Sequence, residues 1–68
     1  MTNEEVKKAM LERTPVKFNG IEYAYVSAII YRYDTKGNLL VSAELMDKNE
    51  KSVIIAQTKD VCVVNEPL

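Results

Sequence analysis

The spacing of apolar residues changes at Pro15. Before it, Val6, Ala9 and Met10 recur at helical intervals, with the stem of Arg13 extending the same narrow face and Leu11 beside it. This predicts a helix over about 3–13. Thr2 and Glu5 have the T-x-x-E spacing of a capping box, in which each side chain accepts a backbone N–H of the first turn. Glu4 and Glu5 lie at the positive end of the helix dipole and Arg13 at its negative end. Glu4 and Lys8 are spaced as an i,i+4 pair in the favoured order. Thr14 precedes a proline, which disfavours helical geometry, so the helix stops there. Three turns are marginal in water, so this helix must dock on something.

After Pro15 the period is two. Val16-Lys17-Phe18 and Ile21-Glu22-Tyr23 flank Asn19-Gly20, a pair suited to the positive φ angles of a type I′ hairpin turn. Residues 23–33 are a long β run rich in Tyr, Val and Ile, closed by the turn formers of 34–38. Leu39, Val41, Ala43 and Leu45 then alternate with Ser42 and Glu44 over a strand at 39–46. Residues 47–51 are a polar turn, 52–57 a strand, 58–60 a tight or 3₁₀ turn and 61–64 a short last strand. Pro67 cannot donate to a ladder, so the tail 65–68 should be loose.

Sequential hairpins around a long second strand predict a mainly β (α+β) domain: an N-terminal helix followed by a five-stranded antiparallel SH3-like barrel over about 16–64. Closure would remove exposed edges. Ala24, Val26, Ala28 and Ile30 share one parity and are expected inside the barrel. All four tyrosines, Tyr23, Tyr25, Tyr31 and Tyr33, have the other parity. Two arrangements suit them. They form an open aromatic platform for a peptide or stacked bases, with Arg32 as a charged neighbour. Alternatively the helix covers part of the face and they pack beneath Val6 and Met10, hydroxyls at the rim. A bulge in so long a strand would split the set between faces.

A chain of 68 residues has room for one domain, and it hides only roughly 60% of its unfolded surface. One cysteine, Cys62, cannot form an intramolecular disulfide, and with no histidine a zinc site has too few ligands. Apolar residues make up 47% of the chain, so burial must stabilise it, aided by contact with a copy of itself. Nine basic and ten acidic residues argue against non-specific nucleic-acid binding. The longest apolar run is too short to span a bilayer, and the acidic start is unlike a signal peptide, so no membrane contact and a cytoplasmic location are expected.

The inventory excludes Ser-His-Asp and Cys-His nucleophile arrangements. Cys62 lies in a valine run and is expected to be a small core or edge residue. Glu12, Glu22, Asp34, Glu44, Asp47 and Asp60 are scattered over different elements and suggest no catalytic pair. Asp47-Lys48-Asn49 opens like an EF-hand loop, but Ser52 stands where that loop needs glycine. Gly20 and Gly37 are hairpin residues, not a phosphate cradle. Neither an enzyme nor a cofactor or metal is expected.

Residues 14–23 (TPVKFNGIEY) and 42–49 (SAELMDKN) resemble short uncharacterised proteins carried by prophages and mobile elements of Gram-positive bacteria. That resemblance implies an accessory role through contact with a host or phage protein, and brings no catalytic residues with it. The expected function is a non-enzymatic protein-binding module, able to form a homodimer, acting through a strand edge or through Tyr23, Tyr25, Tyr31, Arg32 and Tyr33. The rival is a small barrel that binds single-stranded nucleic acid, with Lys17, Arg32, Lys36 and Lys59 on the backbone.

Overall fold

The computed structural model describes residues 1–64; the expected loose tail at 65–68 lies outside them. Helix α1 spans Asn3–Glu12. The Glu5 N–H donates to Thr2 Oγ1 at 3.1 Å and the Thr2 N–H to Glu5 Oε1 at 2.8 Å, so the capping box forms. The helix closes on Arg13 in the left-handed region (φ 54°). There the Arg13 N–H donates to Met10 O and the Thr14 N–H to Ala9 O, which satisfies carbonyls the last turn leaves open. Arg13 thereby leaves the apolar face, and its guanidinium lies 4.0 Å from the centre of the Tyr25 ring. Val6 and Ala9 are buried and Met10 packs against them, while Leu11 is exposed.

Six strands follow: β1 Val16–Phe18, β2 Ile21–Tyr23, β3 Tyr25–Tyr33, β4 Leu39–Met46, β5 Val53–Gln57 and β6 Val61–Val63, with a 3₁₀ turn at Thr58–Asp60 before the last. They form two antiparallel three-stranded sheets, β2-β1-β6 and β3-β4-β5. The expected five-stranded SH3-like barrel is therefore incorrect. No ladder joins the two sheets among the described residues, and the molecule is a small α+β fold.

The reason lies at Ala24. The run expected to be unbroken from Tyr23 to Tyr33 bends there, and the Ala24 N–H donates to Met46 O at 2.8 Å. The chain so leaves the first sheet and enters the second within one residue. A second irregularity follows at Ser27. Val26 pairs with Leu45 but Ala28 pairs with Glu44, leaving Ser27 as the extra residue of a bulge. The Ser27 hydroxyl fills the gap, 2.7 Å from Glu44 Oε1 and 3.2 Å from its carbonyl oxygen.

Two slips of phase make the core-facing positions of this stretch Tyr23, Val26 and Ile29, spaced by three instead of two. Val26 is buried as expected, but Ala28 and Ile30 point to the opposite face from it. Ile29, paired with the buried Ala43, takes the inward place. Val6, Ala9, Val16, Tyr23, Val26, Ala43, Leu45, Ala56 and Val61 form one buried cluster to which the helix and all six strands contribute. The amino group of Met1 donates to the carbonyls of Thr58 and Val61, at 3.0 and 2.9 Å, and ties the helix start to the 3₁₀ turn.

The two tight hairpin geometries are local. Asn19 and Gly20 both have positive φ (55° and 79°), as the Asn-Gly turn requires. No atom lies within 4 Å of a Cβ added at Gly20, so Gly20→Ala should cost only the left-handed backbone strain, about 1–2 kcal/mol. Leu45 and Ile55 sit on opposite faces of the same sheet, fully buried and 53% exposed. Leu45→Ala should cost about 2–5 kcal/mol, enough to unfold most of so small a domain, and Ile55→Ala less than about 0.5 kcal/mol at low protein concentration. Urea titrations of the three variants read both differences.

Candidate functional site

The register of the β3-β4-β5 sheet sorts its residues. Val26, Ile29, Tyr31 and Tyr33 pair with Leu45, Ala43, Val41 and Leu39, so these eight share the face that turns toward the core. Helix α1 packs against β3, yet Tyr31 and Tyr33 remain 62% and 71% exposed. Leu39 is also exposed and Val41 half-buried. The far half of the β3–β4 hairpin thus continues the core-facing surface into solvent as an aromatic and aliphatic strip.

The tyrosines are divided between settings. Tyr23 is 7% exposed and belongs to the core. Tyr25 precedes the bulge, pairs with Met46 on the outer face, and is held between the Arg13 guanidinium and Glu50, to which its hydroxyl donates at 3.3 Å. Only Tyr31 and Tyr33 come together as an accessible pair. Arg32 lies between them in sequence but on the outer face, opposite Leu40. The five candidate residues are not one surface.

A feature that side-chain parity did not reveal is an open edge. The β4–β5 ladder ends where Ser42 pairs with Gln57, because the chain then winds into the 3₁₀ turn. Leu39, Leu40 and Val41 have β3 on one side and no strand on the other among the described residues. A cleft of about 340 Å³ occupies this step, lined by those three residues, by Gln57, Thr58 and Lys59, and by Asn3 at the helix start. The signal was present as a mismatch in length, since the strand at 39–46 outruns its neighbour at 52–57.

Asp34 holds the hairpin tip. Its Oδ1 accepts the backbone N–H groups of Asn38 and Lys36 at 2.8 and 2.9 Å, and the Asn38 amide donates to Oδ2 at 3.3 Å. The Gly37 N–H donates to the Asp34 carbonyl at 3.1 Å, with Gly37 at φ 84°. Donation from the Asn38 backbone, then from the Asn38 side chain and the Lys36 and Gly37 backbones, holds the Asp34 carboxyl below its ordinary pKa. Glu5 is lowered chiefly by the Thr2 backbone N–H, and Glu22 chiefly by its hydrogen bond with Lys48.

The remaining candidates are dispersed. Lys17 is on the other sheet, opposite Cys62 and Glu22. Lys36 lies in the hairpin turn and Lys59 at the cleft. Lys48 pairs with Glu22 at 2.9 Å. Cys62 is exposed on edge strand β6. Among the described residues no three of His, Cys, Asp or Glu gather as a metal site. No helix among the described residues is long and apolar enough to cross a membrane.

Lowered carboxyl pKa values favour the folded form at neutral pH, and that contribution is lost as pH falls through the lowered values. The protection factors of the Lys36 and Asn38 amides, exchange rates taken relative to the unfolded chain at the same pH, should therefore fall on acidification through the carboxylate range. Asp34→Ala should lower them already at pH 7 and remove most of that pH dependence.

In comparisons with known proteins, no family model, no curated protein and no solved structure matches this chain.

Proposed function

We propose that this chain is a non-enzymatic binding module, an accessory protein of a mobile element, that captures an extended segment of a partner protein along the open edge of β4. The observation that carries this reading is the unpaired stretch of Leu39, Leu40 and Val41 beside the exposed Tyr31 and Tyr33. A partner strand laid there would take the place that β5 vacates at Gln57. Its backbone would supply hydrogen bonds, and its alternate side chains would enter the cleft or lie against the tyrosines.

The energetics suit a reversible contact. Burying the open area of Tyr31 or Tyr33 is worth about 2–3 kcal/mol each at ~25 cal/mol per Å². Losses of rigid-body and side-chain freedom offset much of this. An added strand also needs a rigid template, which the Asp34 turn supplies. The lack of histidine and the dispersed acids support a role without catalysis.

Selection of peptides from a displayed random library on the immobilised domain, followed by anisotropy titration of the peptides recovered, tests the reading. Tyr33→Ala and Leu39→Asp should each weaken binding at least tenfold while leaving Tm nearly unchanged, since exposed positions contribute within about 0.5 kcal/mol to stability. Peptides that bind these variants as well as they bind the parent would contradict it. So would a domain that binds a labelled single-stranded oligonucleotide, steeply weakened by salt, and selects no peptide.

A further inference from the structure

The outer face of the β3-β4-β5 sheet, on the other side from Tyr31, Tyr33 and Leu39, is apolar as well. Across its rows Tyr25, Met46 and Val53 align, then Ala28, Glu44 and Ile55, then Ile30, Ser42 and Gln57, and last Arg32 and Leu40. Ile55, Val53 and Leu40 are exposed there, at 53%, 43% and 40%. Exposed apolar residues gathered on one sheet face mark a contact surface more often than singly scattered ones do.

We propose that a second copy of this chain packs on this face, sheet against sheet, about a two-fold axis that crosses the strands at the row of Ile30, Ser42 and Gln57. Charge selects the arrangement. The rows next to the axis carry one base, Arg32, and one acid, Glu44, on either side of it, while Arg13 and Glu50 lie around Tyr25 at the far end. Reversing the strands sets Arg32 of each copy beside Glu44 of the other. An axis along the strands at β4 would instead set Glu44 over Glu44 and leave both Arg32 side chains without an acid. Arg32 has no ion-pair partner among the described residues. Ser27 and Glu44 are already bonded, so the acid is held in place before contact.

The area sets the strength. Three strands about 4.8 Å apart, with rows covering roughly 20 Å along them, give a face of about 14 by 20 Å. Two such faces, about 280 Å² each, bury on the order of 560 Å² in total, under the roughly 1,000 Å² that a stable specific interface clears, so the dimer is weak and forms only at high micromolar concentration. Aligned sheets pack about 10 Å apart. About this axis the row of Ala28, Glu44 and Ile55 of each copy faces the row of Arg32 and Leu40 of the other, which brings Ile55 beside Leu40 and leaves Val53 at the margin. Leu40 is common to both surfaces, whereas Tyr31, Tyr33 and Leu39 lie on the other face, so changes there separate partner capture from self-association.

Sedimentation velocity from about 5 to 500 µM reads the proposal. The weight-average mass should rise from 7.7 kDa toward twice that value. Ile55→Lys should remain at one chain mass throughout, with an unchanged circular dichroism spectrum. Arg32→Glu should weaken association about tenfold, as should Glu44→Gln, which keeps an acceptor for Ser27. Arg32→Gln combined with Glu44→Gln should weaken it no more than either change alone, as a direct pair requires, and Tyr33→Ala and Leu39→Asp should leave it unaltered. A parent chain that stays at one mass at 500 µM would overturn the proposal. Association that survives Ile55→Lys, that Leu39→Asp abolishes, or that the two charge changes weaken additively would do so as well.

Discussion

The Ser27 hydroxyl, bonded to both the carboxylate and the carbonyl of Glu44, closes over one extra residue in β3, and the placement of every side chain beyond it follows. A strand presents alternate residues to alternate faces, so one inserted residue reverses the assignment downstream. Because of it, Ile29 meets Ala43 in the core while Ile30 faces out. Tyr31 and Tyr33 continue the inner surface beyond the helix, and Arg32 joins the outer one. The bend at Ala24 is the second such break, and it sends Tyr23 into the core of one sheet and Tyr25 to the outer face of the other. Both surfaces argued for here are consequences of these two residues.

The chain's size explains why so much apolar surface stays open. The helix and six strands share one buried cluster, and among the described residues no second layer covers the outer face of the larger sheet. Two sheets that do not close into a barrel leave edges, and the β4 edge is open because β5 gives way to the 3₁₀ turn at Thr58. Natural sheets blunt such edges with charge, proline or bulges. Here Leu39, Leu40 and Val41 carry none of these, whereas the bulge sits at mid-strand and reorients a face. Asp34 spends four accepted hydrogen bonds, three on its carboxylate and one on its carbonyl, keeping the exposed hairpin rigid.

Elements with strong local chemistry were legible in the sequence. Thr2 and Glu5 announced the helix start, Pro15 its end, and Asn19-Gly20 the first hairpin, because each acts within a few residues. The strand at 39–46 followed from alternation, and the one expected at 52–57 after a polar turn runs Val53–Gln57. What was not legible was where a run of β-formers breaks phase. Neither Ala24 nor Ser27 is a glycine or a proline, and their irregularities are set by the Met46 carbonyl and by Glu44, residues 22 and 17 positions away. The barrel expectation and the single tyrosine face both assumed unbroken period two through 23–33, and failed together. The open edge depended on comparing strand lengths, a relation between elements that no one segment states.

Cross-strand register between β3 and β4 is therefore the most direct test. Backbone nuclear Overhauser contacts should link Leu45 with Val26, Ala43 with Ile29 and Val41 with Tyr31. Contacts from Ala43 to Ala28 and from Val41 to Ile30, alongside the same Leu45–Val26 pair, would mean that β3 contains no bulge and would contradict the account.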